Sequence, residues 1–584
     1  MKTHGIDALL VPSSDPHQSE YLPARWRGTE WVCGFTGSVG QLIVMADRAA
    51  LAVDGRYVLQ AREEVLSHGV EVVRTESPRA ADAAVLAWLA AHLDQGAVVA
   101  VDGQVHAPAS AQRLAQGLAN AGMTLRSERD LLDAVWVDRP PLPTARLREH
   151  PCPQAGATRP EKLAALRHRL AELGVDGHWT AALDEIAWLL NLRGADVPFN
   201  PVFLAHLLIG PASCRLFVGP ERVDADLRAR LEGEGVELHA YEAIGPALHS
   251  LDAGTRLLVD PARVSVALIE RVAAKTVEDM NPTQLMKSPR DALQAAALRA
   301  TMDQDGAALC EFYAELAPDL VAGALDESDL HARLIDCRAR RPDFQGPSFN
   351  TIAGFGPNAA MPHYSPTPRN ARPLAGRGLL LIDSGGHYLG GTTDITRVWP
   401  LGGPPDERQR RDYTRVLKGL VALSSVRFPR GTLAPMLDAV ARVPLWAEGL
   451  DYGHGTGHGV GHYLNVHEGP QLFSQALPRP ETALLPGMVI SIEPGLYRAG
   501  QWGIRLENLV LCVPAGTTPF GDFLAFETLS QCPFDTQCLE MPLLDAHERD
   551  WLDDYHATVR RRLAPLLTGA ALDWLLTHTE PLKP

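Results

Sequence analysis

No apolar run in the sequence approaches 18 residues, so a membrane-spanning helix is not an organising element. The opening residues, MKTHGIDALLVPSSD, hold only a short apolar stretch, Ala8 to Val11, and a secretory signal is not expected. The eight cysteines show no C-x-x-C spacing. That excludes a thiolate zinc knot and a disulfide scaffold, and reduced thiols in a cytoplasm are expected. Cys532 and Cys538 are near enough to bridge, yet one thin pair is expected to stay reduced. Positive charge is scarce: 54 Lys and Arg against 70 Asp and Glu, for a net charge of −16. Neither nucleic acid nor an anionic membrane fits that balance as a partner. An H-E-x-x-H zinc motif is also missing, because His467-Glu468 is not followed by the second histidine. His454, His458 and His462 have four-residue spacing, but the glycines between them argue against a helix.

What is present concentrates between Gly378 and Glu507. The strings LLLIDSGG, GTTDITR, GTGHGVG, ISIEPG and IRLENLV carry Asp383, Asp394, His458, Glu493 and Glu507. Leu379 to Ile382 is a fully apolar run and suits a buried strand. Glycines 385, 386, 390 and 391 suit a reversal, and β-branched Thr392 to Val398 suits the return strand. Residues symmetric about a hairpin midpoint lie opposite each other. Asp383 and Asp394 are expected to face one point across that turn. Met488 to Ile492 and Ile504 to Cys512 repeat the pattern about Gly500, which brings Glu493 opposite Glu507. Glycines 453, 455, 457, 459 and 461 let backbone approach closely around His458.

Four carboxylates and one imidazole suit a pair of divalent cations. Two cations about 4 Å apart repel unless anions bridge them. Oxygen-rich ligation with a single imidazole favours Mn²⁺, with Zn²⁺ and Co²⁺ as alternatives. Taken singly, an Asp before Gly is most often a turn residue. Buried carboxylates, however, are rare without a partner or a metal, and four such positions in two matched ribbons, with a His–Gly strand beside them, make coincidence a poor explanation.

These strings, with MPHYSP and GHGTGHGVGHYLNVHEGP, resemble the pita-bread metallopeptidases, and among them the long, three-domain Xaa-Pro aminopeptidase family. VPSSDPHQSEYL, FTGSVG and VDGRY extend the likeness to the N-terminal part. The resemblance implies a mixed α/β and α+β chain: two related creatinase-like N-terminal domains, then a pita-bread catalytic domain. We place them at 1–141, 142–287 and 288–584, with a C-terminal extension from about 531. Pro-rich Asp138 to Pro153 marks the first linker. Gly174-Val-Asp echoes Gly5-Ile-Asp, and the hairpin from Leu207 to Val218 echoes Leu42 to Val53. Helices are expected at Glu63 to Leu66 and Ala80 to Leu93. KSPRD is read as a helix start, with Ser288 as cap and Pro289 in the first turn. The helix would run to about Leu316. Phe349 to Gly354 reads as a strand and Pro357 to Pro366 as a loop. In the extension, Trp551, Tyr555 and Val559 share one helix face and are assigned to packing. Set against the family, the start before GIDALLVPSSD is abrupt, and a preceding helix is expected.

The same resemblance implies roles for histidines that would otherwise be read as structural. His467 would bind the substrate carbonyl and shuttle protons, His363 would stabilise the tetrahedral intermediate, and His454 would wall the proline pocket. Trp502 is a further candidate for that wall, and Arg56 in VDGRY is a candidate for facing the active site across a homodimer. Glu493 would ligate and also move the proton of the attacking water. The function expected is hydrolysis of the bond between an N-terminal residue and a penultimate proline, by solvent activated between two metals. The alternatives are a prolidase on Xaa-Pro dipeptides, a catalytically dead peptide-binding module, and a metal-free creatine-type hydrolase. The last two would lack the carboxylates. Two domains ahead of the catalytic one favour the aminopeptidase.

Overall fold

A computed structural model describes residues 1–75, 81–127 and 130–582. It divides into two compact units, Met1–Gln284 and Leu285–Pro584.

The first unit contains two six-stranded sheets built to one plan. In the first sheet, Ala8–Pro12 lies between antiparallel Gln41–Val44 and parallel Val98–Val101. In the second, Gly177–Thr180 lies between antiparallel His206–Ile209 and parallel Arg256–Val259. The echoed Gly-x-Asp has a physical reason in both. Gly5 and Gly174 take left-handed φ values of 62° and 65°, which end a helical turn and launch the central strand. Two residues on, Asp7 accepts from the backbone N–H of Val98, and Asp176 from that of Arg256, each at 2.8 Å. Each aspartate thereby fixes the start of the parallel neighbour. The expected helices fall at Val58–Val65 and Ala81–His92, with Ala80 outside the described residues.

The second unit opens with helix Ala292–Ala322. Its cap is Asp291 and not Ser288. Asp291 accepts from Gln294 N at 2.8 Å, while the Gln294 side chain returns to Asp291 N. Pro289 lies before the helix, in a bridge with Met488. The helix also runs past Leu316 and through Pro318. The expected strand at Phe349 is Ile352–Phe355, and the expected loop from Pro357 includes the 3₁₀ turn Gly356–Ala360. Two sheets carry the site: Ile352–Phe355 with Gly378–Ser384 and Ile395–Leu401, and Val489–Ile492 with Asn508–Thr518 and Gly521–Thr528. Helix Glu407–Ser424 buries Tyr413, Leu417 and Leu420 in one core with Ile490, Ile504 and Val510.

The C-terminal extension joins that core. Helix Ala546–Leu563, capped by Asp545, contributes Leu552, Tyr555, Val559 and Leu563. A second helix, Gly569–His578, adds Leu575 and was not expected. All eight cysteines are free thiols, Cys532 and Cys538 among them. Among the described residues, no helix is long and apolar enough to cross a membrane.

Candidate metal centre

The second ribbon has the register expected from its sequence. Val489–Ile492 pairs with Asn508–Leu511, and Ile492 faces Asn508, so Glu493 and Glu507 follow as the next opposed positions. The interval between them is itself paired, Gly495–Arg498 with Trp502–Arg505, and turns at Gly500. The first ribbon is shifted. Asp383 faces Thr396, not Asp394. Asp394 lies two residues before Thr396, just ahead of the strand Ile395–Leu401 and beyond the last paired position, Ser384 with Ile395. The short strands Gly386–Tyr388 and Gly391–Thr392 move the reversal by one residue. That tip packs on helix Ala292–Ala322: a Cβ on Gly391 would fall 2.4 Å from Leu298 Cδ1.

His458 sits in strand Gly457–His458, wedged between Leu472–Phe473 and the second ribbon. A Cβ on Gly457 would lie 1.8 Å from the Ser491 carbonyl oxygen, and one on Gly459 would lie 2.0 Å from the Glu468 carbonyl oxygen. Only glycine allows this approach. His458 N then donates to Ser491 Oγ at 2.9 Å.

The donors converge. Ligand atoms of Asp394, His458 and Glu507 lie within 4.8 Å of one another. His458 Nε2 is 3.5 Å from both Asp394 Oδ2 and Glu493 Oε1. Arg505 Nη2 lies 2.5 Å from Asp383 Oδ2, and Arg505 Nε lies 4.0 Å from Glu493 Oε2. Thr396 donates to Glu507 Oε2 at 2.8 Å. The outer oxygens are therefore fixed, while one oxygen each of Asp383, Asp394 and Glu507 is buried without a hydrogen-bond partner. Buried carboxylate oxygens left unpaired are costly unless a cation takes them. The protein alone cannot keep this set ionised, because two anions at such range repel by about 3 kcal/mol at an effective dielectric of 20. Burial, then Glu507, Asp383 and Glu493, push the Asp394 carboxyl well above its ordinary range. Burial and the neighbouring Asp383 do the same to Glu507. Burial raises Glu493 to about 7, against the opposing pull of Arg505. The residues present fit a pair of divalent ions.

His467 stands against the cluster, its ring centroid 4.2 Å from that of His458 at 87°. His454 connects through a relay: its Nε2 meets Tyr497 Oη at 2.8 Å, and Arg505 Nη1 donates to the same hydroxyl at 2.9 Å. His363 is half-buried on the segment after Gly356–Ala360. Its neighbour Tyr364 anchors that segment by donating to Glu327 at 2.9 Å. Trp502, the further candidate for the pocket wall, belongs to the hydrophobic core. It is 8% exposed, and its indole donates to Asp412 Oδ2 at 3.1 Å within the core. Arg56 belongs to the first unit, where it forms a two-pronged pair with Asp54 at 2.9 and 2.7 Å. Sequence reasoning passed over Arg505, Tyr497 and Thr396. Arg505 had a signal: a cation two residues from Glu507 in an apolar strand must be paired once buried.

Comparison with known proteins agrees with this chemistry. The model of metallopeptidase family M24 matches residues 296–514, and that of the C-terminal region of peptidase M24 matches 522–582. Two creatinase/prolidase N-terminal domain models match 1–134 and 138–293. Fold and donor set thus define a metallopeptidase of the M24 class behind two creatinase-type domains. A probable Xaa-Pro aminopeptidase P of Talaromyces stipitatus is 37% identical over 100% of this chain and 91% of its own. Aminopeptidase P2 of Arabidopsis thaliana is 37% identical over 99% of this chain and 86% of its own. The crystal structure of the X-prolyl aminopeptidase of Caenorhabditis elegans, described as cytosolic with a di-nuclear active site, superposes with a TM-score of 0.92. It is 31% identical and covers 99% of this chain and 95% of its own. The chain belongs to the Xaa-Pro aminopeptidase P family.

Proposed function

We propose that the protein is an Xaa-Pro aminopeptidase that removes the residue preceding a penultimate proline, using two divalent ions held by Asp383, Asp394, His458, Glu493 and Glu507. The observation that carries this reading is the set of buried carboxylate oxygens with no protein partner, facing one another and His458. A bound ion pair would supply solvent of lowered pKa and a Lewis acid for the carbonyl.

The chain's own groups do the rest. Glu493 has an ordinary value raised to about 7 by burial, and its side chain keeps 18% exposure. It stands where it can take a proton from the attacking water and return it to the leaving nitrogen. That nitrogen is a tertiary amide without an N–H, so recognition must come from shape and from the carbonyl. His467, beside the cluster, donates to the carbonyl oxygen as charge develops. His363 supports the same intermediate. His454 lines the proline subsite, held by Tyr497. Mn²⁺ is the preferred ion because oxygen donors outnumber the single imidazole. The same reading includes a homodimer in which Arg56 faces the partner's substrate, a cytoplasmic location, and domains at 1–141, 142–287 and 288–584.

The test is hydrolysis of Arg-Pro-Pro by chelated enzyme as Mn²⁺ is added. Release of arginine from the tripeptide, with little cleavage of Xaa-Pro dipeptides, is the expected outcome. Cleavage of dipeptides alone points to a prolidase, and no cleavage of either with metal bound overturns the assignment.

A further inference from the structure

Strand Ile395–Leu401 has two chemical faces. Thr396 points to the metal cluster and donates to Glu507 Oε2. The next residue, Arg397, points to the opposite side. It is 1% exposed, and oxygens of uncharged groups surround its guanidinium. Nη1 donates to the carbonyl oxygen of Glu507 at 2.6 Å and to that of Thr396 at 2.9 Å. Nη2 donates to Asn508 Oδ1 at 2.8 Å, to the Cys532 carbonyl at 2.8 Å and to Tyr555 Oη at 2.9 Å. Nε reaches the carbonyls of Cys532 and Pro533 at 3.2 and 3.1 Å. The Phe534 ring covers the cation, with its centroid 3.9 Å from the guanidinium carbon.

Tyr555 completes the arrangement. It comes from the helix Ala546–Leu563, and its hydroxyl donates to the Cys532 carbonyl at 2.9 Å while accepting from Arg397. The backbone N–H of Cys532 also points at that hydroxyl, at 3.3 Å. A buried cation is tolerated only when its donors are met in good geometry. Here the geometry joins three segments: the strand behind the site, the backbone of Glu507, and the start and long helix of the C-terminal extension.

We infer that the C-terminal extension is part of the catalytic apparatus: through Tyr555 and Arg397 it fixes the backbone at Glu507, and thereby sets metal affinity. Arg397 and Tyr555 are positioning residues that act through Glu507. The extension is thus more than the packing element its sequence suggested. This inference rests on the reading of Glu507 as a metal ligand. Removing the Tyr555 hydroxyl leaves its ring against that of Phe534, outside the helix, with centroids 5.2 Å apart, so the packing of the helix is retained while the acceptor is lost.

The experiment compares Mn²⁺ affinity of the full-length chelated protein, by competition with a fluorescent chelator, in Tyr555→Phe, Val559→Ala and Glu507→Gln. Val559 packs the same helix into the core without a polar contact and controls for stability. Tyr555→Phe is expected to weaken binding of one ion about tenfold, in the range of lost supports behind a ligand. Val559→Ala is expected to leave affinity unchanged although it lowers the unfolding midpoint. Wild-type affinity in Tyr555→Phe, or an equal loss in Val559→Ala, overturns the inference. Wild-type affinity in Glu507→Gln overturns instead the ligand assignment beneath it.

Discussion

Gly457→Ala is the most informative small perturbation of the site. Its Cβ would lie 1.8 Å from the Ser491 carbonyl oxygen and 2.8 Å from the Ser491 carbonyl carbon. Both atoms are backbone of the strand Val489–Ile492, which is paired along its length with Asn508–Leu511, so neither can swing aside. The strand Gly457–His458 must retreat by more than 1 Å to restore a contact near 3 Å. Such overpacking costs about 1–3 kcal/mol. The retreat also breaks the bond from His458 N to Ser491 Oγ, and a buried amide left unpaired adds roughly 1–3 kcal/mol. The sum, about 2–6 kcal/mol, is a sizeable part of the ~5–15 kcal/mol that stabilises a typical domain. His458 moves with its strand, and coordination distances tolerate only about 0.2 Å. The variant is therefore expected to fold with a lowered unfolding midpoint and to bind metal at least about 10-fold more weakly. Gly453→Ala supplies the control from the same glycine run, because its Cβ would meet nothing within 4 Å. Metal competition on both variants decides the matter. Wild-type affinity in Gly457→Ala, or equal impairment in Gly453→Ala, refutes the argument from close approach.

Two further outcomes follow from the geometry. Arg505→Met strips Asp383 of its ion pair and Tyr497 of its donor; kcat on an Xaa-Pro-Xaa peptide is expected to fall about 10- to 100-fold, and an unchanged kcat contradicts the relay. In the first unit, His178 is fully buried with Nδ1 at 3.1 Å from the Leu258 carbonyl, and burial lowers it from 6.5 to about 4. Between pH 6.5 and 4 the unfolded chain takes up that proton and the folded chain does not, so stability falls as pH falls, by about 1 kcal/mol per unit. Urea unfolding of His178→Asn should show a shallower acid slope than wild type; an equal or steeper slope contradicts the assignment.

The sequence was most legible where local chemistry decided the structure. Glu493 and Glu507 were placed opposite each other because the flanking strands are apolar and the turn centres on Gly500, and nothing distant alters that register. In the first ribbon the reversal is set by contact with helix Ala292–Ala322, which a hairpin rule does not see, and Asp383 consequently pairs with Thr396. Asp291, rather than Ser288, won the helix cap because its box partner Gln294 lies three residues on. For Trp502 the sequence leaves a pocket wall and an ordinary core aromatic both open, because its hydrogen bond to the buried carboxylate of Asp412 joins residues far apart in the chain. Arg397 and Tyr555 are far apart in the chain and make sense together only once the extension folds back.

The central claim concerns the cluster itself and is tested most directly by counting metal. Chelated protein reloaded with Mn²⁺ and freed of excess should hold two ions per chain and cleave Arg-Pro-Pro. Asp394→Ala should remain folded, hold fewer ions and lose cleavage. Two ions and full activity in Asp394→Ala would contradict the account.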